Sequence, residues 1–256
     1  MITALSIGSN GRLGNQMFQY ASLVGIANHK KYDYYSPGGR LFDVFKMHDK
    51  KSVQYSDLPK TRIEERQFSF DSEFFEKTPD NIDIKGYFQT KKYWDHCEDE
   101  ILKLFEFKSA IDNNLQKVCE DNCFLHVRRT DYLNKSDYHT NLELDYYRKA
   151  ISAIDPKKVI VFSDDIMWCK QTFINEIINH SLNIVFANEF SYDDVTDLLL
   201  MSKCRNAIIA NSSFSWWGAY LGPHQNGGKI VAPLNWFGPK GPKDTQDLFP
   251  DGWLTI

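Results

Sequence analysis

From residue 122 onward, the chain alternates short apolar runs with longer stretches of helical periodicity, and this pattern constrains the fold most strongly. The apolar runs have the length of strands, and the stretches between them repeat their apolar residues at helical spacing. We expect strands at 123–127, 159–163, 184–187, 207–210 and 229–232, and helices at 144–154, 168–179, 192–202 and 214–221. Strands that alternate with helices are typical of a parallel, doubly wound α/β sheet.

The first part of the chain is less regular, but it also mixes strands with helices. We expect strands at 2–8 and 82–88, helices at 15–29 and 91–105, and a polar, irregular stretch at 49–80. A chain of 256 residues that is 42% hydrophobic can bury one large core or two small ones. We therefore expect an N-terminal lobe (1–115) and a C-terminal lobe (116–235) that face a cleft. A final segment (236–256) is expected to pack back across it.

Composition excludes several classes of protein. A net charge of −4 argues against a nucleic-acid-binding protein, whose surface would be strongly basic. No apolar run approaches the roughly 20 residues that span a bilayer, and the amino end has no signal-peptide pattern. Five cysteines at irregular spacing indicate reduced thiols in a cytoplasmic protein, and Cys119 with Cys123 lacks the second pair that a zinc site needs.

Residues 126–132, with the sequence His-Val-Arg-Arg-Thr-Asp-Tyr, follow the expected strand 123–127. Open α/β sheets bind ligands just beyond the carboxyl ends of their strands. An arginine keeps its charge, and its planar fork fits the oxygens of a phosphate. Arg128 and Arg129 therefore indicate a diphosphate site. The alternative is a pair of surface arginines bonded to neighbouring carboxylates.

Two further motifs lie where an expected strand meets an expected helix. The first is residues 210–219, Ala-Asn-Ser-Ser-Phe-Ser-Trp-Trp-Gly-Ala, in which Asn and Ser either cap the helix or present donors to an anion. The second is the glycine-rich stretch 8–21, which has neither the dinucleotide-binding nor the Walker spacing. Asn15 and Gln16 of this stretch are expected in the first turn of a helix, facing the cleft.

Together, these three motifs resemble those of the α-1,2-fucosyltransferases of glycosyltransferase family 11. They are Gly-Arg-Leu-Gly-Asn-Gln at 11–16, His-Val-Arg-Arg-Thr-Asp at 126–131 and Asn-Ser-Ser-Phe-Ser-Trp-Trp-Gly-Ala at 211–219. Segments at 85–89, 145–147 and 162–169 fit the family as well, so the resemblance covers roughly residues 5–235. It implies two Rossmann-like lobes of the GT-B type. It also implies inverting transfer of L-fucose from GDP-β-L-fucose to the 2-hydroxyl of a terminal β-galactoside.

The resemblance also implies which residues bind the donor, GDP-fucose. Arg128 would stabilise the charge that develops on the departing β-phosphate. His126 would lie against the guanine, with a core histidine as the alternative, and Asp197 would accept hydrogen bonds from the guanine N–H groups. Further donor-binding candidates are Arg129, which could instead brace its loop, and Asn211, Ser212, Ser213 and the Phe214 amide.

The proton acceptor and the acceptor site are less well defined. Asp131 is the nearest acid that could take the proton of the acceptor hydroxyl, although it could instead bond Arg129 or the loop backbone. Asn15 is a further catalytic candidate. The candidates for acceptor binding are Gln16, Tyr87, Gln89 and Trp94.

Asp164 and Asp165 follow the expected strand 159–163, a position where other nucleotide-sugar transferases hold a metal ion. The alternatives are a helix N-cap and a contact with ribose. The resemblance implies that no metal and no cofactor is required, because the family works without one. It therefore favours the cap or the ribose contact.

The vertebrate members of the family carry an N-terminal membrane anchor, and the chain resembles a bacterial form without one. Its expected partners are GDP-fucose and a β-galactoside-terminated oligosaccharide or lipid-linked glycan. Peripheral association with the inner face of the membrane is left open. The alternative functions are a related fucosyltransferase that makes another linkage, and a nucleotide- or glycan-binding protein without turnover.

Overall fold

The computed structural model describes residues 1–47, 53–176, 182–191 and 193–256, and it forms two compact units. The first unit comprises Met1–Ser109 and Asp244–Pro250, and the second comprises Ala110–Lys243 and Asp251–Ile256. Each unit contains a sheet of parallel strands connected through helices, which confirms the predicted α/β class. The domain bounds that we expect at 115 and 235 stay a prediction.

The first unit contains a four-stranded sheet. Its strands are β1 (Ile2–Thr3), β2 (Tyr34–Tyr35), β3 (Arg62–Glu64) and β4 (Ile82–Lys85), and its helices are α1 (Leu13–Lys30), α2 (Leu41–Val44), α3 (Ser72–Lys77) and α4 (Glu98–Leu104). The strand order is β2-β1-β4-β3, and each neighbouring pair is parallel. Single 3-10 turns occur at Tyr55–Asp57, Lys91–Tyr93 and Asp95–Cys97.

Helix α1 is the central helix of this unit, and most of its residues from Leu13 to Ala27 are buried. Its backbone passes close to its neighbours at Gly25, where a Cβ atom would collide with the carbonyl oxygen of Tyr93. The helix ends where Lys31 adopts a left-handed conformation and donates its N–H to the last turn. This packing fixes the first turn of the helix, which carries Asn15 and Gln16.

Several expectations for the first unit were wrong in detail. The expected strand 2–8 is only β1, because the backbone turns at residue 5 and the Leu5 N–H donates to Asp83 Oδ1 at 2.8 Å. The expected helix 91–105 is broken into two 3-10 turns and α4. The stretch 49–80 contains β3 and α3 and is therefore more regular than expected, although its residues 49–52 lie outside the described residues.

The second unit contains a six-stranded parallel sheet in the order β10-β9-β8-β5-β6-β7. Its strands are β5 (Cys123–Val127), β6 (Lys158–Ser163), β7 (Asn183–Phe186), β8 (Asn206–Ile208), β9 (Ile230–Ala232) and β10 (Leu254–Thr255). Its helices are α5 (Asn113–Glu120), α6 (Thr130–Leu133), α7 (Leu144–Ile154), α8 (Ile166–Glu176), α9 (Asp194–Met201) and α10 (Ser213–Ala219), and a π-helical turn at Tyr220–His224 continues α10.

The predicted bounds of β5 and α7 are confirmed, and the other predicted strands of this unit are found within about two residues of their expected ends. Residues 177–179 of the expected helix 168–179 and Tyr192 of the expected helix 192–202 lie outside the described residues. Strand β10, which pairs with β9, was not predicted.

The strand order of the second unit determines where a ligand can bind. From β5 the chain runs outward through β6 and β7 and then returns to the other side of β5 as β8. The order therefore reverses between β5 and β8, and ligands of open α/β sheets bind at the carboxyl ends of the strands on either side of such a reversal. Arg128 directly follows β5, and the Asn-Ser-Ser motif at 211–213 follows β8.

Candidate active site

Arg128 is held by two carboxylates and an aromatic ring. Its guanidinium hydrogen-bonds to Asp131 and lies 3.1 Å from Asp164 Oδ2. The same group lies over the ring of Tyr132, 5.2 Å from the ring centroid. The side chain is only 14% exposed. A guanidinium that is this buried needs paired charges, and the two carboxylates supply them.

Asp164 connects the end of β6 to the loop that follows β5. It accepts hydrogen bonds from the Arg129 N–H, at 2.9 Å, and from the Thr130 hydroxyl, in addition to its contact with Arg128. Burial raises the pKa of Asp164, but these hydrogen bonds and the charge of Arg128 outweigh it and lower the pKa below its usual range. Asp164 is thus an ionised anchor for residues 128–130. The sequence did not predict this role, because it does not show that β5 and β6 are neighbours in the sheet.

Asp165 caps a helix, one of the two roles that were favoured for Asp164 and Asp165. Its Oδ1 accepts the Trp168 N–H of α8 at 3.2 Å, which is an N-terminal cap. Its Oδ2 lies 3.3 Å from Arg129 Nε. Arg129 also stacks on the Trp168 ring, 3.9 Å from its centroid. Arg129 therefore braces the loop. Asp131, for which a bond to Arg129 or to the loop backbone was the alternative to a role as base, bonds Arg128.

Asn211 joins three segments of the second unit. Its side-chain amide donates to the carbonyl oxygens of Thr140, at 2.8 Å, and Trp236, at 2.9 Å. Both amide hydrogens are therefore used, and this geometry argues against the expected donation to a phosphate. Ser212, which is buried, is the N-cap residue of α10, and Ser213 is the first residue of that helix.

His126, in β5, is a buried imidazole close to Phe214. The two ring centroids are 5.9 Å apart. Burial lowers the pKa of His126 to about 3, so the ring is neutral near pH 7. Among the described residues, no group hydrogen-bonds to its Nδ1. A neutral ring nitrogen without a partner can accept or donate one bond to a ligand.

Asp197, in α9, lines a pocket of about 370 Å³ beyond the carboxyl ends of β6 and β7. The residues that line this pocket are Ser163, Ile166, Ala187, Asn188, Ser191, Asp193, Asp194 and Asp197. Burial and the neighbouring carboxylates raise the pKa of Asp197 to about 6, although a hydrogen bond from Ser191 lowers it. A ligand that donates hydrogen bonds to a carboxylate in such a position stabilises its ionised form.

The candidates from the first unit interact with one another. The side-chain amide of Gln89 donates to Asn15 Oδ1 at 2.8 Å, and the Tyr87 hydroxyl donates to Asn10 Oδ1 at 3.2 Å. Gln16 is buried, and no described residue hydrogen-bonds to its Oε1. The glycine-rich turn and the segment around residue 88 are therefore joined through side chains.

Trp94 and Glu65 alter the expected acceptor side. Trp94 is fully buried, with its ring 5.8 Å from that of Phe18, which argues against a contact with an acceptor. Glu65, which the sequence did not single out, accepts the N–H groups of Tyr87, at 2.7 Å, and Phe88, at 2.9 Å. Burial raises the pKa of Glu65 to about 7, although these two bonds oppose the shift.

Within the described residues, no cluster of three His, Cys, Asp or Glu side chains has the arrangement of a metal site. Asp164 and Asp165, the acids that a metal would require, are bonded to residues 128–131, called the arginine loop from here on, and to α8. Nor does the part of the chain that the structure describes contain a helix that is long and apolar enough to cross a bilayer.

The comparison with protein families decides the assignment. The model of glycosyl transferase family 11 matches residues 40–256, which include the arginine loop, Asp197 and the Asn-Ser-Ser motif. The chain belongs to glycosyltransferase family 11. The matched region begins after the glycine-rich turn, so Asn15 and Gln16 lie outside it.

Several relatives of this family 11 chain are named as glycosyltransferases. It is 36% identical to the O-antigen biosynthesis glycosyltransferase WbnK of Escherichia coli over 67% of its own length, and the match spans 59% of that relative. It is 29% identical to an Escherichia coli alpha-1,2-colitosyltransferase over 96% of each chain. It is 26% identical to the mouse galactoside alpha-(1,2)-fucosyltransferase 2, over 98% of this chain and 78% of that one.

Among solved structures, the family 11 chain is similar to the fucosyltransferase NodZ from Bradyrhizobium. The TM-score is 0.50 at 14% sequence identity, over 87% of this chain and 92% of that one. At this identity the likeness concerns the fold alone.

Proposed function

We propose that the chain transfers L-fucose from GDP-β-L-fucose to the 2-hydroxyl of a terminal β-galactoside, with inversion at the anomeric carbon. The observation that carries this proposal is the position of Arg128. A nearly buried arginine follows β5 at the reversal of strand order, in a chain that belongs to glycosyltransferase family 11.

The chemistry required at that position is the stabilisation of a departing diphosphate. As the bond between the sugar and the β-phosphate breaks, negative charge develops on the phosphate oxygens. A guanidinium that is already oriented stabilises this charge without reorganising in the transition state. Arg128 has five N–H donors, and its contacts with Asp131 and Asp164 leave others for phosphate oxygens.

The pocket beside Asp197 is suited to a guanine base. Guanine presents N1–H and an exocyclic amine side by side, and one carboxylate can accept both. The unused Nδ1 of His126 and the backbone of residues 212–214 supply further polar groups of the same unit. Uracil lacks this pair of donors, so the same carboxylate discriminates against a UDP-linked sugar.

Inversion by a single displacement requires the acceptor hydroxyl in line with the departing GDP. Asn15, Gln16, Tyr87 and Gln89 are the proposed acceptor-side residues, supported by the hydrogen bonds that join Gln89 to Asn15 and Tyr87 to the glycine-rich turn. The contact of Asp131 with Arg128 favours a bracing role for Asp131 over that of a base. No step of this reaction requires a metal ion or a cofactor. An acceptor that is an intermediate of O-antigen assembly in the cytoplasm fits the bacterial relatives.

The proposal is tested by incubating the protein with GDP-fucose and lactose. We expect release of GDP and a trisaccharide in which NMR identifies an α-linked fucose at O2 of galactose. A fucoside at another position would disprove the linkage, and nucleotide binding without any product would favour the non-catalytic alternative.

A second donor has a specific observation in its favour. The alpha-1,2-colitosyltransferase matches over 96% of both chains. Colitose differs from fucose by the loss of the 3-hydroxyl, so both sugars can share one GDP site. Comparison of kcat/KM for GDP-fucose and GDP-colitose would identify the donor, and a preference of tenfold or more for GDP-colitose, about 1.4 kcal/mol, would replace fucose in the proposal.

A further inference from the structure

His139 lies beside the arginine loop, in the connection between α6 and α7. Its imidazole stacks on the ring of Tyr132, with the centroids 4.0 Å apart and the planes at 7°. Tyr132 is also the ring that the Arg128 guanidinium contacts, 5.2 Å from the centroid. The Tyr132 ring therefore contacts both the imidazole and the proposed phosphate-binding group.

The backbone fixes this position from two directions. His139 forms an isolated antiparallel bridge with Phe237, and the neighbouring Gly238 N–H donates to the Tyr138 carbonyl at 2.9 Å. Tyr132, the partner of His139 in the stack, is also fixed, because its hydroxyl donates to the Asn211 carbonyl at 3.0 Å. The imidazole is thus held in place by ordered contacts and does not move freely on a surface loop.

No described residue hydrogen-bonds to a ring nitrogen of His139, and the side chain is only half-buried. The exposed histidine His29 bonds Glu76, His96 bonds a backbone oxygen, and His224 accepts from the Trp253 indole. His139 therefore presents a nitrogen that the protein itself does not use. Because the ring is partly accessible, a substrate hydroxyl or solvent can reach this nitrogen.

The charges around His139 favour the neutral ring before the reaction. Burial lowers the pKa of His139 below its usual range, and Lys135 and Arg128 lower it further, whereas Asp131 raises it. Phe237, which faces the ring from the other segment, carries no charge. A neutral imidazole can accept a proton near pH 7. The imidazolium that results would be stabilised by the negative charge of a newly formed diphosphate at Arg128.

We propose that His139 accepts the proton of the acceptor hydroxyl during sugar transfer. The acceptor oxygen forms a bond with the anomeric carbon while the bond from that carbon to the β-phosphate oxygen breaks. The bonding electron pair leaves with GDP, and the hydroxyl proton moves to a ring nitrogen of His139, which later releases it to solvent. The positive charge thus appears as the leaving group becomes more negative. This inference rests on the proposed transferase function and adds its proton acceptor.

Two variants separate proton transfer from stacking. His139→Phe keeps a flat ring on Tyr132 but has no nitrogen, and His139→Gln keeps a polar group but has no basic nitrogen. If His139 is the base, both lower kcat by about 10²-fold or more, the scale for a positioned proton acceptor. Their GDP affinity at about pH 8, where the imidazole is neutral, and their melting temperature stay near those of the wild type. The decline of kcat toward acid pH in the wild type disappears in both.

The matched control is His29→Gln, a histidine replacement in the first unit that should leave the kcat–pH profile unchanged. A His139→Phe variant with wild-type kcat would overturn the proposal, because stacking alone would then be sufficient. If the wild type bound GDP but transferred no sugar from GDP-fucose or GDP-colitose, the transferase function would fail and this inference with it. Transfer by the wild type together with unimpaired variants would overturn only the role of His139.

Discussion

At the scale of single residues, Arg128 is stable in its position because Asp131 and Asp164 balance its charge before any donor arrives. An unpaired guanidinium at this depth would be costly, and two carboxylates with an aromatic ring compensate for the loss of water. The same carboxylates orient the side chain, so little conformational entropy would be lost if a diphosphate bound there as proposed.

Arg128→Ala should therefore retain the fold but lower kcat by about two to three orders of magnitude, the scale for the loss of one donor to a transition-state anion. Arg128→Lys should also be slow, because a point charge does not reproduce the planar fork. Steady-state kinetics of GDP release measure both variants. Arg148→Ala, which removes an exposed arginine from α7, is the control. An Arg128→Ala variant with more than half of the wild-type rate would refute the assignment.

If Asp197 binds the guanine as proposed, GDP binding should depend on pH. Because burial raises its pKa to about 6, the carboxyl becomes protonated as the pH falls through that value, and it then accepts fewer hydrogen bonds from guanine. We expect the affinity for GDP to fall below about pH 6 in the wild type. Asp197→Ala should cost about 1.5–3 kcal/mol of binding free energy, the range for hydrogen bonds to a charged group.

Titration calorimetry between about pH 5 and pH 8 measures this effect. Asp197→Asn should bind weakly at every pH and remove the dependence, and it should not lower the melting temperature, since a raised pKa means that ionised Asp197 destabilises the fold. The exposed carboxylate Asp145 supplies the control Asp145→Asn. Equal GDP affinity in the wild type at both ends of the range would exclude this role.

At the scale of elements, the arginine loop after β5 depends on the carboxylate that ends β6. Asp164→Asn should weaken three contacts at once, to the Arg129 N–H, the Thr130 hydroxyl and Arg128. We expect a loss of about tenfold or more in kcat/KM, because hydrogen bonds to a charged group contribute about 1.5–3 kcal/mol. Asp165→Asn is the comparison variant, since asparagine also caps helices well and only the contact of Asp165 with Arg129 is weakened. A wild-type kcat/KM for Asp164→Asn would show that Asp164 does not position the loop.

Apolar runs predicted the elements of the second unit well, because β5 and α7 have strong periodicity and lie in the core. β3 was missed because its Arg-Ile-Glu sequence has no apolar run. It forms through its pairing with β4, where Arg62 Nε lies 2.6 Å from Asp83 Oδ2. The helix expected at 91–105 is interrupted at Trp94 and Cys97, whose backbones leave the helical region at φ −135°. Local propensity does not reveal such tertiary constraints.

The motif predicted Arg128 as the centre of the site, but it could not predict the partners of Arg128. Asp131 bonds Arg128 instead of Arg129, and Asp164 reaches the loop from the neighbouring strand. Trp94 was expected to contact the acceptor because of its position in the chain, yet it is enclosed in the core beside Phe18. Contacts between distant segments decide these roles, and a single sequence does not contain them.

At the scale of the whole molecule, each unit has its own parallel sheet, and a segment near the carboxyl end belongs to the first unit. Asp247 of that segment accepts the Phe70 N–H at 3.0 Å and forms an ion pair with Lys92 at 2.5 Å. Phe70 and Asp247 are 177 residues apart in the chain, and this is why no local pattern revealed the contact. The donor-side candidates all lie in the second unit, at residues 126–214.

Metal independence is an expectation for the complete enzyme. Arg128 supplies positive charge at the proposed diphosphate, and Asp164 and Asp165 are bonded to protein groups. Transfer activity should therefore remain nearly unchanged in excess EDTA, as measured by the rate of GDP release. If chelation abolished turnover and Mg²⁺ or Mn²⁺ restored it, the two aspartates would have to be reassigned as ligands.

In the proposed function, the arginine loop and the Asp197 pocket form one site for a guanosine diphosphate group. Titration calorimetry of the wild type with GDP, GMP and UDP tests it most directly, because GMP lacks the β-phosphate and UDP lacks the guanine donors. We expect clear binding of GDP and at least tenfold weaker binding of both analogues, a difference of about 1.4 kcal/mol or more. Equal affinity for the three nucleotides, or no binding of GDP, would contradict it.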